Sequence, residues 1–181
     1  MPKLIYSMTA SLDGFVAGPH GEIDWSAPDD ELHRFHNARV RGLAVQLIGR
    51  RLYETMLPWE TTDDWSSGPV QAEFASIWRD TPKIVFSTTL DRVDGNATLA
   101  SEGPAETLAG LSGDIGVGGA TLAASFIEKG LVDEFDLFVS PVVLGAGTRF
   151  FPPLDERLEL ELVETQTFNG GIVYLRYRRT A

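Results

Sequence analysis

One segment of the chain, from Asp114 to Phe151, constrains the fold more than any other. It reads DIGVGGATLAASFIEKGLVDEFDLFVSPVVLGAGTRFF, in which a short apolar run ends in a glycine pair, helical periodicity follows and a second apolar run comes next. A glycine pair between a strand and a helix lets a ligand approach the backbone, and the free N–H groups of a helix start attract phosphate. The segment therefore predicts an α/β domain, in which the turn either binds a phosphorylated cofactor or is only a tight connection.

The rest of the chain alternates strand-like and helix-like stretches. Strands are predicted at residues 3–11, 43–48, 83–87, 97–100 and 132–145. A helix is predicted with Ser26 as its N-cap, and another from Gly49 to a stop at Pro58. Two more helices are predicted at residues 70–79 and 106–111. This order indicates a mixed, mainly parallel sheet with helices on both faces, an α/β fold of three layers.

The C-terminal residues have a different pattern, in which Leu158, Leu160 and Leu162 alternate with glutamates. Such alternation predicts a half-buried antiparallel strand. The turn residues 169–171 then lead into a last strand, so the sheet should end in a hairpin. The whole chain, residues 1–181, is expected to form a single domain.

Composition excludes several classes of function. The net charge of -11 argues against binding nucleic acid or an anionic membrane surface. No apolar run approaches the roughly 20 residues that span a bilayer, the first residues do not form a signal peptide, and cysteine is absent. A cytoplasmic location is therefore expected. His33 and His36 have no evident third ligand, so no metal site is predicted.

Two charged stretches are candidates for chemistry. Gly49, Arg50 and Arg51 follow a predicted strand at a helix start, where arginines either hold a phosphate or lie free on the surface. Asp30 and Glu31 follow Pro28. They either complement the helix dipole or include a carboxyl group that delivers a proton in an apolar cleft.

Several of these motifs together resemble the dihydrofolate reductase-like family, and most closely the reductase domain of the riboflavin-biosynthesis deaminase–reductase (RibD). The shared pattern is a glycine-pair turn, a helix, a strand that begins with Asp-Glu, and a P-x-x-LG-x-G ending. In this chain the corresponding residues are Gly118-Gly119, Asp133-Glu134, Pro141, Leu144-Gly145 and Gly147. The resemblance implies the dihydrofolate reductase fold, NADPH as cofactor and a homodimer.

The resemblance also implies roles for individual residues. Arg50, in a Gly-Arg-x-x-aromatic-Glu stretch, would bind the 2′-phosphate of NADPH. The implied cofactor-binding residues are Gly49, Arg50, Arg51, Ser87, Thr88, Gly118, Gly119, Ala120 and Thr121. The implied substrate-binding residues are Met8, Thr9, Asp13, Trp25, Phe35 and Arg149. The catalytic acid would be Asp30 if the Trp-x-x-Pro motif is aligned, or Glu31 if Leu32 and Phe35 are aligned.

The chain departs from the riboflavin enzymes in ways that bear on its substrate. It shows no zinc deaminase part, which implies a stand-alone reductase, and it carries GRRLYE and LPWE where those enzymes have Gly-x-x-Thr-Val and Asp-x-Pro. The expected function is NADPH-dependent reduction of 5-amino-6-(5-phosphoribosylamino)uracil or a related small heterocycle. The alternatives are a pterin or folate reductase, and a nucleotide-binding module without turnover.

Overall fold

The computed structural model of the chain describes residues 3–62 and 68–180. Its strands are β1 (Leu4–Ser11), β2 (Phe15–Ala17), β3 (Val45–Gly49), β4 (Lys83–Phe86), β5 (Ala97–Leu99), β6 (Ile115–Gly118), β7 (Glu134–Ser140), β8 (Thr148–Arg149), β9 (Leu160–Thr167) and β10 (Val173–Arg179). Its α-helices are α1 (Asp30–Arg41), α2 (Arg50–Thr61), α3 (Pro69–Asp80), α4 (Pro104–Ala109) and α5 (Ala120–Glu128).

Within the part of the chain that the structure describes, the main sheet has eight strands in the order β5-β4-β3-β6-β1-β7-β10-β9. The pairs from β5 through β7 are parallel, and β10 and β9 add an antiparallel hairpin at one end. The mixed, mainly parallel sheet and the terminal hairpin are therefore confirmed. The short pair β2 and β8 forms a second sheet that was not predicted.

Side chains of the central strands point alternately to the two faces of the sheet, so each face carries apolar residues against which helices pack. On one face, Tyr6, Leu47 and Phe135 pack with Phe126 of α5. On the other face, two smaller clusters join the sheet to α1, α2 and α3. The three-layer arrangement is confirmed, and the divided core on the second face leaves room for a cleft. None of the described helices has the length and apolarity needed to cross a bilayer.

The first helix begins later than predicted. Asp29, not Ser26, is the N-cap of α1, and its carboxylate accepts a hydrogen bond from Leu32 N at 2.9 Å. Ser26 instead closes a preceding 3-10 turn by donating its hydroxyl to Ile23 O. Pro28 separates the two, since the residue before a proline is disfavoured in helical conformation.

The second helix does not stop at Pro58, which lies inside α2. A proline removes one hydrogen bond from a helix, so tertiary contacts must hold the last turn. Trp59 packs edge-on against Phe74 at 4.7 Å, and Glu60 pairs with the buried Lys83. Thr62 N also donates to Pro58 O, so the helix continues to Thr61.

The C-terminal strand β9 is more exposed than its leucine alternation predicts. Leu162 is 50% exposed and Val163 is 40% exposed. The pairing of β9 with β10 shifts register between Arg176 and Tyr177, which interrupts the alternation. Among the described strands, β9 has a partner on one side only, so it forms an edge of the sheet.

Candidate functional site

A cleft of about 520 Å³ lies between the sheet and the layer of α1, α2 and α3. Its floor is formed by β1, β6 and β7, and includes Ser7 and Asp136, which are paired across the strands, together with Gly116 and Gly118. Ser7 is exposed even though β1 lies in the middle of the sheet. An exposed residue on a central strand means that no helix covers the sheet there, so the floor is open to a ligand.

Aromatic side chains form much of the cleft wall. Trp59, Phe74 and His33 pack together, with ring centroids 4.7 Å apart for Trp59 and Phe74 and 5.9 Å apart for His33 and Trp59. His36 lies with its ring 4.2 Å from that of Phe138. Such a wall suits a flat, mostly apolar ligand.

The two histidines of α1 contribute no charge to the cleft at neutral pH. Burial, with smaller contributions from the neighbouring His33 and Arg39, lowers the pKa of His36 to about 4. Burial also lowers the pKa of His33. Both imidazoles are therefore neutral near pH 7, and each can donate one hydrogen bond and accept one.

Asp136 lies almost fully buried on the cleft floor and is held by three side chains. Its Oδ2 accepts from Arg39 Nη2 at 2.5 Å, and its Oδ1 accepts from Tyr174 Oη at 2.9 Å and from Arg176 Nε at 3.3 Å. Burial raises the pKa of Asp136, whereas Arg39 and the Tyr174 hydrogen bond oppose that rise. The two arginines explain how a carboxylate is accommodated there, because a buried charge must be paired.

Three glycines form a bare stretch of backbone where two helices begin, called here the glycine cradle (Gly49, Gly118 and Gly119). Ile48 pairs with Gly118, so the carboxyl ends of β3 and β6 lie side by side, and α2 and α5 begin directly beyond them. Gly119 has a φ of +92°. A Cβ added to it would lie 3.8 Å from Gly49 N, so the position is unhindered. Two neighbouring helix starts without side chains can hold a phosphate or diphosphate.

The residues expected to bind the cofactor surround this cradle. Arg50 and Arg51 begin α2 with exposed side chains, and Arg50 pairs with Glu54 at 3.2 Å. Ala120 and Thr121 begin α5. Phe86 pairs with Gly49, so Ser87 and Thr88 follow the adjacent strand end. The Ser87 hydroxyl accepts from Thr89 N and Leu90 N, which commits it to the local turn. The fold thus brings all nine cofactor-binding candidates to the carboxyl ends of the adjacent strands β4, β3 and β6.

Neither predicted acid lines the cleft. Asp30 is exposed and forms an ion pair with Arg34 at 3.6 Å. Glu31 is also exposed and accepts a hydrogen bond from Asn169 Nδ2 at 2.8 Å. Leu32, the next residue, points into the core instead. The first turn of α1 thus faces solvent and the C-terminal hairpin, and the prediction that one of these acids is catalytic gains no support from their placement.

The predicted substrate residues are divided between the cleft and other surroundings. Met8 and Thr9 line the cleft. Asp13 does not, because its carboxylate accepts hydrogen bonds from Ser11 Oγ, Leu144 N and Gly145 N. These hydrogen bonds lower the pKa of Asp13 to about 2, and the one from Ser11 has the largest effect. Asp13 therefore joins the turn after β1 to the loop after β7.

Three further predicted substrate residues lie outside the cleft lining. Trp25 donates its indole N–H to Glu22 O at 3.2 Å, although Ile23, Ser26 and Pro28 of the same loop do reach the cleft. Phe35 packs among Phe138, Phe168 and Tyr174. Arg149 is exposed, with its guanidinium carbon 5.0 Å from the Phe15 ring centre.

Sequence reasoning missed the titratable residues that do line the cleft, His33, His36, Arg39 and Asp136. Two signals were available. His33, His36 and Arg39 recur at every third position of α1, which places them along one side of the helix. Asp136 interrupts an otherwise apolar strand, where an unpaired charge would be unfavourable. Within residues 3–62 and 68–180, no group of three or more potential ligands could hold a metal ion.

Comparison with known proteins identifies similar sequences and folds. The family model described as the RibD C-terminal domain matches residues 2–174. The uncharacterized protein YyaP of Bacillus subtilis (strain 168) is 31% identical over 181 residues, covering 97% of this chain and 94% of that protein.

Solved structures share the fold at lower identity. A putative riboflavin biosynthesis protein from Shewanella sp. PV-4 has a TM-score of 0.79 and 19% identity, with all of both chains covered. The deaminase/5-amino-6-(5-phosphoribosylamino)uracil reductase of Thermotoga maritima has a TM-score of 0.69 and 16% identity, over 99% of this chain and 57% of that one. Dihydrofolate reductase from Enterococcus faecalis, complexed with NADP(H), has a TM-score of 0.63 and 19% identity, over 99% and 97%. At these identities the likeness shows the fold.

Proposed function

Because the chain belongs to the family described as the RibD C-terminal domain, we propose that it is an NADPH-dependent reductase of a small heterocycle. One observation carries the proposal: the glycine cradle lies at the same edge of the sheet as an open, aromatic-walled cleft, and Gly118 belongs to both. A phosphate site that adjoins a cleft for a flat molecule suits a dinucleotide whose reactive ring reaches the substrate. The residues from 1 to 181 would act as one domain.

The cradle fits the phosphates of a nicotinamide cofactor. At Gly118 a Cβ would collide with Leu52, and at Gly119 the positive φ disfavours any other residue. Glycine at position 118 thus lets Leu52 of α2 pack directly on β6, whereas Gly119, with its nearest neighbours 3.8 Å from an added Cβ, keeps its backbone accessible. NADPH, when bound, supplies the hydride. The protein would hold the diphosphate at the helix starts of α2 and α5 and the 2′-phosphate at Arg50, with Arg51 beside it.

The substrate would lie in the cleft, on the floor made by Ser7, Met8 and Thr9. Aromatic walls exclude water and hold a flat ring parallel to the floor. The candidate substrate is 5-amino-6-(5-phosphoribosylamino)uracil, the compound named for the Thermotoga enzyme, or a related heterocycle. Loss of NADPH absorbance with this compound, compared with dihydrofolate in a parallel assay, tests the activity. Absence of NADPH binding altogether would refute the proposal.

Arg50→Ala should weaken NADPH binding roughly tenfold, about 1.5 kcal/mol, and leave NADH binding almost unchanged. The loss stays near the lower end for a charge-assisted contact because Arg50 is 45% exposed and already pairs with Glu54. Titration of cofactor fluorescence with both nucleotides measures the effect, and Arg34→Ala serves as an exposed-arginine control. An equal loss for both cofactors would show that Arg50 does not bind the 2′-phosphate.

Asp30→Asn and Glu31→Gln should each retain the NADPH oxidation rate within about twofold, the size expected for surface changes. The reason is that both side chains are exposed and bonded to groups outside the cleft. The rates are measured on the substrate identified above, with one variant at a time. A loss of roughly 10²–10⁴-fold in either variant would instead establish that residue as the catalytic acid.

The chain is further proposed to form a homodimer through the edge strand β9. The apolar strand β7 lies between β1 and β10 and is therefore not an edge at which a second chain could pair. The long edge strand β9 instead exposes Leu162 and Val163, and such edges invite pairing with a second chain. Light scattering at micromolar concentration should give about twice the chain mass of 19.8 kDa. Leu162→Lys should shift the particle to the monomer, whereas a wild-type monomer would contradict the proposal.

A further inference from the structure

We infer that Arg39 is the anion-binding residue of the cleft and that the substrate carries a carboxylate or an equivalent planar monoanionic group. This inference rests on the proposed function, since it takes the cleft as the substrate site. Arg39 lies outside the motifs from which the sequence suggests site residues.

Few charged residues line the cleft. Among the described residues that line the cleft, Arg39 and Asp136 alone belong to the Asp, Glu, Lys and Arg types, and both histidines are neutral near pH 7. A ligand in the cleft therefore meets one cation and one anion. Which of the two attracts it depends on how each is compensated.

The anion is the better compensated of the two. Asp136 pairs with Arg39 and also with Arg176, which approaches from β10 and does not line the cleft. Tyr174 Oη donates a further hydrogen bond to Asp136. With its charge shared between two arginines and a hydroxyl, Asp136 leaves a surplus of positive charge on the cleft side, at Arg39. Glu164 also pairs with Arg176, but it is 41% exposed, so solvent screens its charge.

The cation is held ready for a ligand. Arg39 uses Nη2 for Asp136, and its guanidinium carbon lies 5.8 Å from the Tyr174 ring centre, with a side chain 26% exposed. A guanidinium has five N–H donors, so donors remain beyond the bond to Asp136. Ser7, the register partner of Asp136, adds a hydroxyl on the same floor.

The geometry favours a carboxylate over a phosphate. A single guanidinium edge matches the two oxygens of a planar carboxylate. A phosphate dianion would leave about one charge unpaired in a cleft with one surplus cation, which is unfavourable away from water. The predicted substrate group is therefore planar and monoanionic. Within the proposed reductase function, this favours a related heterocycle that bears a carboxylate over 5-amino-6-(5-phosphoribosylamino)uracil, whose phosphate is a dianion.

The test uses two flat probes that differ by one carboxylate, orotate and uracil. Isothermal titration calorimetry at pH 7, without added cofactor, should show orotate binding roughly 10- to 100-fold more tightly than uracil. Arg39→Met should abolish the preference, and Arg39→Lys should retain part of it because it keeps the charge without the fork. Arg34→Met, on the exposed side of the same helix, should leave the preference unchanged.

Removing Arg39 alone leaves Asp136 with less compensation, so the double variant Arg39→Gln with Asp136→Asn provides a neutral version of the pair. The double variant should also lose the orotate preference. If Arg39→Met fails to fold, the calorimetric comparison of orotate and uracil is made with the double variant instead. A wild-type protein that binds orotate no better than uracil, or binds neither, overturns the inference, as does a preference that survives in the Arg39 variants. NADPH binding is titrated separately: its absence would refute the reductase proposal while an orotate preference still upheld the role of Arg39.

Discussion

Replacing Asp136 with alanine should lower the free energy of unfolding by about 3 kcal/mol, the scale expected when one partner of a buried ion pair is removed. The side chain of Asp136 is 2% exposed, and its removal leaves Arg39 without its counter-ion and Arg176 with only the half-exposed Glu164. Tyr174 Oη also loses its acceptor in a buried position. Urea denaturation followed by circular dichroism measures the change.

The matched control is Asp30→Ala, which removes a carboxylate from the exposed pair with Arg34 on α1. An exposed pair of this kind contributes at most about 1 kcal/mol, so the control should lose far less stability. Similar losses for both variants would show that the Asp136 cluster is no more stabilising than a surface ion pair.

Gly119→Ala should weaken NADPH binding by roughly 10- to 100-fold, the effect of losing hydrogen bonds to a charged phosphate. The added Cβ has room, since its nearest neighbours are 3.8 Å away. The effect therefore comes from the backbone: a φ of +92° is unfavourable for alanine, and relaxation of the turn moves the N–H groups at the start of α5. Titration of cofactor fluorescence measures the affinity.

Gly170→Ala provides the control for strain without a ligand site. Gly170 also has a positive φ of +74° with no neighbour within 4 Å of an added Cβ, but it lies in the turn before β10. Both variants should lose about 1–2 kcal/mol of stability, and Gly170→Ala should keep full NADPH affinity. If Gly119→Ala also kept that affinity, the glycine cradle would not be the phosphate site.

Sequence patterns were most reliable where the local signal and the tertiary contacts agree. Glycine at positions 118 and 119 predicts both a tight turn and an approachable backbone, and the turn lies where β6 meets α5. The hairpin around residues 169–171 was predicted for the same reason, because its turn residues and flanking strands are adjacent in the chain. The leucine alternation correctly predicted the antiparallel strand β9, but it overstated the burial of Leu162, which is 50% exposed at this edge of the sheet.

The site residues show the limit of local reasoning. Asp30 was predicted from the spacing of Trp25 and Pro28, and Glu31 from that of Leu32 and Phe35. A shift of a few residues in the start of a helix turns its first side chains to another side. The cap at Asp29 directs those two acids to solvent, and His33, His36 and Arg39 to the cleft. That choice depends on Leu32 and Phe35 packing against β7 and the hairpin, which are distant in the chain.

The fold class, the order of the main-sheet strands and helices, and the glycine turn could all be predicted, because they follow from periodicity and backbone freedom within short stretches. The tertiary structure alone decided which charges line the cleft. Asp136 and Arg39 are 97 residues apart and meet only when α1 packs across β7. A buried charge is stable only beside its partner, so the chemistry of the cleft depends on contacts that no local pattern contains.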